Sequence, residues 1–244
     1  MKILPGLDMN PFDLRQDQIN FFHDNGYLVV DNLFSEEECD AINKLTRKHA
    51  DNSFAAILNP DRKFEEIRSV MKAPKIVSIL QTLANTEVVG LMSQVLFKEA
   101  GSPYAGQAWN PHQDNTYPQT PNGEYVTINI ALQDQDIENG CLYIYPGSHK
   151  DGLFPFEPTK SYRENPKSNP GNIVDLSILI KFESKKTDLK IKKGGTLFMN
   201  GNCIHGSYSN ISERSRPLLS ISYIPKGTYF ISGKNSNRME IPLH

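Results

Sequence analysis

The hydrophobic period of this chain changes after Asn85, and that change limits the folds open to it. Upstream, apolar residues recur at helical spacing. Downstream they alternate with polar ones or cluster in short runs bounded by Gly and Pro. Tyr125 to Leu132 sets Val126, Ile128, Ile130 and Leu132 against Thr127, Asn129 and Ala131, the period of a strand. Glu87 to Phe97 is rich in Val, Leu and Met, and shorter strand candidates are Cys141–Tyr145, Ile178–Phe182, Leu189–Ile191, Thr196–Met199, Ile204–Ser207 and Leu218–Ile224. Turns such as Glu138-Asn139-Gly140, Pro146-Gly147-Ser148 and Lys193-Gly194-Gly195 separate them. Many short strands joined this way predict a mainly β sandwich or jelly roll.

The first third reads as mostly helical. A helix is expected over 14–25, with Ile19 and Phe22 on one face and Asn25-Gly26 as its stop. Tyr27-Leu28-Val29-Val30 follows as a strand. Ser35-Glu36-Glu37-Glu38 is a capping box, opening a helix that buries Cys39, Ile42 and Leu45. Pro74 begins a third helix with Ile76, Ile79, Leu80 and Leu83 as its stripe. The expectation is one domain over residues 1–244, helical over about 14–85 and a β core over about 86–225. Residues 151–175, with Pro155, Pro158, Pro166 and Pro170, interrupt the pattern and read as a lid over a pocket or a solvated insertion.

At 244 residues the chain is long enough for a sizeable core, and 38% hydrophobic with 22% charged residues is ordinary for a soluble protein. A net charge of -2 gives no reason to expect a nucleic-acid partner. There is no apolar run of membrane length, and Met1 to Gly6 has no secretory hydrophobic region. Cys39, Cys141 and Cys203 are an odd, widely spaced set, expected as buried apolar residues in a reducing cytoplasm. The partner left to consider is a small molecule; oligomeric state is not legible.

Trp109-Asn110-Pro111-His112-Gln113-Asp114 carries the chemistry. In extended backbone, residues i and i+2 share a face, roughly 6–7 Å apart at Cα, so His112 and Asp114 can converge on one metal ion. A second His on a neighbouring strand would complete a 2-His-1-carboxylate triad, which suits non-haem Fe(II) oxygenases. His49-Ala50-Asp51 has the same spacing but ends a helical pattern, where i and i+2 diverge by roughly 200°. His205, in Asn202-Cys203-Ile204-His205-Gly206-Ser207, is the candidate third ligand. It is expected to begin a strand that hairpins through Asn210–Arg214 into Arg216, putting that arginine on the adjacent strand to meet a bound carboxylate. Arg214 reads as a solvated turn charge.

His112-Gln113-Asp114, Asn139-Gly140-Cys141-Leu142, Pro146-Gly147-Ser148-His149 and His205-Gly206-Ser207 with Arg216, in that order, resemble the phytanoyl-CoA dioxygenase (PhyH) family. The likeness runs from about residue 14 to 225. It implies a double-stranded β-helix, a cupin-like jelly roll, with N-terminal flanking helices. It implies Fe(II) on His112, Asp114 and His205, and 2-oxoglutarate and O₂ as cosubstrates. The distal carboxylate of 2-oxoglutarate would lie on Arg216 and Ser207. Gln94 and Asn129 match positions from which family members contact it near the metal, although some relatives carry Trp where this chain has Asn129. The implied reaction hydroxylates an unactivated C–H and releases succinate and CO₂. Asp114 favours this over halogenation, since related halogenases lack the carboxylate.

Lys98 shares a strand face with Gln94 and is a candidate pocket residue. Trp109 and Tyr104 either line the substrate pocket or pack under the adjacent loop. His149 reads as a turn organiser, His23 as a surface or packing residue, and Lys160, Arg163 and Lys167 as loop charges, solvated or facing an anionic substrate. The competing functions are a cupin-like isomerase or hydrolase using the same triad without O₂, a non-catalytic binding jelly roll, and, within the family, an acyl-CoA hydroxylase.

Overall fold

Helix α1, Gln16–Asn25, ends where expected: Gly26 adopts φ +80° and its N–H bonds to the Phe22 carbonyl. A side-chain carbon at Gly26 would lie 2.5 Å from Nδ1 of His149, whose Nε2 donates to the His23 carbonyl at 3.1 Å. His149 is therefore a turn organiser, and His23 stays on the surface. The computed structural model describes residues 2–49, 56–102, 104–159 and 171–244. Ala50 and Asp51 of the second His-x-Asp triplet lie outside them, as do Pro166, Pro170, Lys160, Arg163 and Lys167.

Strand β1, Tyr27–Val30, leads to helix α2, Glu36–Arg47, whose Ser35 cap closes both bonds of its box with Glu38. Glu38 is buried, and its carboxylate also accepts two bonds from Lys75 at 2.7 and 2.9 Å. Strand β2, Ala56–Leu58, and helix α3, Glu65–Met71, precede α4, Pro74–Ala84; β2 and α3 are additions to the sequence reading. The remaining strands are β3 Val88–Lys98, β4 Trp109–His112, β5 Val126–Ala131, β6 Leu142–Ile144, β7 Phe156–Glu157, β8 Ile173–Val174, β9 Thr187–Leu189, β10 Thr196–Asn200, β11 His205–Ser207 and β12 Arg216–Pro225.

Among the described residues, two antiparallel sheets face each other as a double-stranded β-helix, ordered β1-β10-β5-β12-β3-β2 and β4-β11-β6-β9. Strand parity divides the larger sheet. Ile128 and Ile130 of β5, Phe198 of β10, and Leu219 and Ile221 of β12 pack with Ile42, Ile67, Ile76 and Ile79 of the helices. Burying such a face is the main driving force for docking the helices, at roughly 25 cal/mol per Å² of apolar area. The other parity faces the small sheet. There the register aligns Gln94, Ser220 and Asn129 in one row, and Lys98 with Arg216 in another.

Three expectations change. Ile178–Phe182 is not a strand: Asp175 caps a short helix α5, Leu176–Leu179, by accepting from the Ser177 N–H. Leu179 and Phe182 are buried whereas Leu176 and Ile180 are exposed, a helical spacing hidden in a short apolar run. The strand near Leu189–Ile191 shifts to Thr187–Leu189. Most consequentially, β11 and β12 are not a hairpin. β11 pairs with β4 and β6, while β12 pairs with β3 and β5. The segment after Ser207 crosses from one sheet to the other, held by Asn210, whose N–H bonds to Ala105 O and whose amide bonds to Lys98 O and Arg214 O.

The three cysteines are buried and free, and burial pushes the thiols of Cys39, Cys141 and Cys203 up to about 12, 11 and 12. Among the described residues no helix is long and apolar enough to cross a membrane.

Candidate active site

His112 ends β4, Gln113 stays extended (φ -112°, ψ 127°), and Asp114 opens a short 3₁₀ turn. Strand parity thus carries one residue beyond the strand, and the expected convergence of His112 and Asp114 is met. Antiparallel pairing sets His205 of β11 directly opposite His112. The ligand atoms of the three side chains lie within 4.8 Å of one another. Nε2 of His112 is 3.5 Å, and Nε2 of His205 3.6 Å, from Oδ1 of Asp114.

Each imidazole is oriented from behind. Nδ1 of His112 meets the Asn110 carbonyl at 2.7 Å, and Nδ1 of His205 meets the Cys203 carbonyl at 3.1 Å. A carbonyl only accepts, so both Nδ1 atoms carry the proton and both Nε2 atoms present lone pairs. Burial pushes the His205 imidazolium down to about 4, so the ring is neutral near pH 7. Burial opposes the charge on Asp114, but His205, His112 and the Thr127 hydroxyl hold its pKa below the usual carboxylate range. Thr127 donates to Oδ2 at 2.7 Å, leaving Oδ1 to face the imidazoles. Three lone pairs aimed at one another repel unless a cation sits between them, so the donor set fits a divalent metal.

Across the cavity, Arg216 starts β12 on the larger sheet and is 2% exposed. Its Nε and Nη1 are buried with no hydrogen-bond partner. Burial pushes the guanidinium down to about 10, still cationic at neutral pH. An unpaired buried guanidinium is costly, and a carboxylate bound beside it would remove that cost. Ser207, Gln94 and Asn129 line the same cavity, with Trp109 on its wall. A PhyH family model, described as phytanoyl-CoA dioxygenase, matches residues 22–218.

The chain belongs to the phytanoyl-CoA dioxygenase family.

It resembles phytanoyl-CoA dioxygenase domain-containing protein 1 of Rattus norvegicus, 29% identical over 201 residues, 82% of this chain and 63% of that protein. The chain thus spans under two thirds of that relative's length. Phytanoyl-CoA dioxygenase of Arabidopsis thaliana is 26% identical over 262 residues, covering 86% of this chain and 89% of that one. The fold is similar to the non-heme alpha ketoglutarate dependent epimerase SnoN from nogalamycin biosynthesis (TM-score 0.72, 18% identity, 89% and 86% of the two chains). It also resembles EvdO2 from Micromonospora carbonacea var. aurantiaca complexed with 2-oxoglutarate (TM-score 0.71, 14% identity, 93% and 96%).

Two sequence candidates move behind the cavity wall. Lys98 is fully buried, and its Nζ meets Ser207 Oγ, Gln107 O and Tyr208 O. Tyr104, 4% exposed, accepts from the Trp109 indole N–H at 3.1 Å and positions that ring. Arg214 is half-exposed and pairs with Asp136 at 2.7 Å, as a turn charge should.

Other residues emerge only from the structure. Gln113 points away from the ligands. Its amide donates to Gly152 O and Asn202 O and accepts from Phe154 N–H at 2.8, 2.6 and 2.8 Å. It thereby ties the His112–Asp114 segment to the turn before His205 and to the stem of the 151–175 excursion, where β7 pairs with β8. On the other side of that stem Asn172 donates to Thr116 Oγ1 at 2.9 Å. Gly171, at φ +100°, packs against His112; a side-chain carbon there would lie 3.0 Å from Nδ1. The sequence signal for Gln113 was its place, a polar residue of opposite parity between two candidate ligands that share a face. A separate open groove is lined by Arg47, Glu99, Asp134 and Arg214 among others, and among the described residues no convergent ligand set lies there. Arg47 and Glu99 pair there at 2.6 Å.

Proposed function

We propose that this chain is an Fe(II)- and 2-oxoglutarate-dependent oxygenase that hydroxylates an unactivated C–H of a small molecule. The observation that carries this reading is the pairing, in one cavity, of three converging lone-pair ligands with a buried arginine whose Nε and Nη1 have no hydrogen-bond partner from the protein. A metal-only isomerase or hydrolase has no use for that arginine.

In this reading Nε2 of His112, Nε2 of His205 and Oδ1 of Asp114 hold the iron. Thr127 keeps the carboxylate turned so that one oxygen faces the metal. Arg216 and Ser207 anchor the distal carboxylate of 2-oxoglutarate, while Gln94 and Asn129 orient its 2-oxo acid end. Iron, 2-oxoglutarate and O₂ together supply the oxidation, with succinate and CO₂ released. The 2-oxoglutarate complex of EvdO2 and the alpha ketoglutarate dependent epimerase SnoN support this cosubstrate, and the family supports a dioxygenase. The epimerase has a different outcome at carbon on a similar fold, so the fate of the oxidised carbon is the step that product analysis decides.

The test is anaerobic titration of Fe(II)-loaded protein with 2-oxoglutarate, which should raise a visible charge-transfer band. No band with iron bound would return the chain to the metal-only classes. His112→Ala, Asp114→Ala or His205→Ala should each remove the band and most of the metal. Product analysis with added oxygen should find one hydroxylated product per succinate; an epimer or new ring instead would overturn the hydroxylase assignment.

A further inference from the structure

Lys98 lies beside Arg216 on the neighbouring strand, both fully buried. Two of its Nζ contacts are to oxygens that only accept, the Gln107 carbonyl at 3.0 Å and the Tyr208 carbonyl. These fix two N–H donors. The third contact, to Ser207 Oγ at 2.9 Å, works in either direction. An ammonium donates a third N–H to the hydroxyl oxygen; a neutral amine accepts the hydroxyl proton into its lone pair.

The surroundings choose between these states. Arg216 faces Lys98 from β12 and stays cationic. Cys141, ahead of β6, keeps its proton because burial raises its thiol. Tyr208 donates its phenol proton to Asp188 at 2.7 Å. Glu99, next in sequence to Lys98, is engaged by Arg47 and Ser215. Tyr104 acts on Arg216. Two adjacent cations in a dry site repel, and only the lysine can shed its charge. Burial and then Arg216 push Lys98 down to about 6.

We propose that Lys98 is a positioning residue that takes up a proton when a dicarboxylate binds Arg216, and so turns the Ser207 hydroxyl toward that carboxylate. Without ligand, neutral Lys98 accepts the Ser207 proton. The arriving carboxylate offsets the charge of Arg216, and one proton passes from solvent to Nζ. Lys98 then donates to Ser207 Oγ, and the freed O–H donates to the ligand. No bond other than these N–H and O–H contacts changes. The inference rests on the assignment of Arg216 and Ser207 as the 2-oxoglutarate anchor.

The test is anaerobic calorimetry of 2-oxoglutarate binding to the Mn(II)-loaded chain at pH 8, in two buffers of different ionisation enthalpy. The expected uptake approaches one proton per ligand, and affinity should fall about tenfold from pH 7 to pH 8. Lys98→Met should bind without uptake. The monoacid 2-oxobutyrate, which shares the chelating end but lacks the distal carboxylate, should bind wild type without uptake. Equal heats in both buffers for 2-oxoglutarate, or the same uptake with 2-oxobutyrate, would overturn the inference while leaving the cosubstrate assignment standing. No binding of either acid would instead overturn that assignment. If Lys98→Met fails to fold, the wild-type comparison of the two acids decides.

Discussion

Arg216 concentrates the functional argument into one side chain. Its Nε and Nη1 are buried without partners, and it faces the cavity that holds the His112, Asp114 and His205 group. Truncating one partner of a buried charge pair costs about 2–5 kcal/mol, so Arg216→Gln should weaken 2-oxoglutarate binding roughly 30- to several-thousand-fold. Metal affinity should hardly change, because the triad sits on other elements. Arg216→Lys should recover only part of the loss, since an ammonium cannot reproduce the two-pronged donor. Arg214→Gln, at a half-exposed turn pair, should bind like wild type. Titration of the three variants decides the anchor: loss confined to Arg214→Gln would transfer it to that residue.

At the level of elements, the β7–β8 stem and the β4 end behave as one unit through Gln113, Asn172 and Gly171. Gly171→Val should therefore strain φ and press on His112, disturbing its bond to the Asn110 carbonyl. The expected result is metal affinity at least tenfold lower with the helical part still folded, read by metal titration and circular dichroism; unchanged affinity would mean that the stem merely lies nearby. Helices α2 and α4 are joined differently. Glu38 caps α2 and neutralises Lys75, which also sits 3.9 Å above the Phe34 ring. Glu38→Ala leaves that ammonium buried and unpaired, and should cost about 3–5 kcal/mol in chemical denaturation. A loss below 1 kcal/mol would show that the lysine escapes to water.

For the whole molecule, the site is a bridge between two sheets. His112 and His205 come from the smaller sheet, Arg216, Gln94 and Asn129 from the larger one. A ligand held at both ends cross-links the sandwich and stabilises only the folded state. At one hundred times its dissociation constant it should add about 2.7 kcal/mol. Thermal melts of the Mn(II)-loaded chain should rise with 2-oxoglutarate, and at the same concentration Arg216→Gln should show little further rise. An equal rise in both would mean that the larger sheet takes no part in binding.

The metal motif was legible because its geometry is local. Extended backbone at Gln113 is enough to set His112 and Asp114 on one face, and no distant contact is needed. The Ser35 box, the Gly26 stop and the alternation of β5 are local in the same sense, which is why the helical start and the β core could be read directly. Residues 178–182 were misread because a short run with four apolar residues does not distinguish a strand from a turn of helix; Asp175 and the buried neighbours decided it. Arg216 was singled out by its spacing and lies on the cavity wall, but the route to it differs from the one expected. The chain crosses between sheets after Ser207 where a hairpin looked sufficient, because Asn210 holds the crossing through bonds to Ala105 and Lys98. Burial is a property of two packed surfaces, not of a segment. The sequence alone therefore determined which side chains can ligate a metal, while the tertiary structure decided that Lys98 lies behind the wall and that Arg216 shares the triad's cavity with two donor atoms that no protein group satisfies.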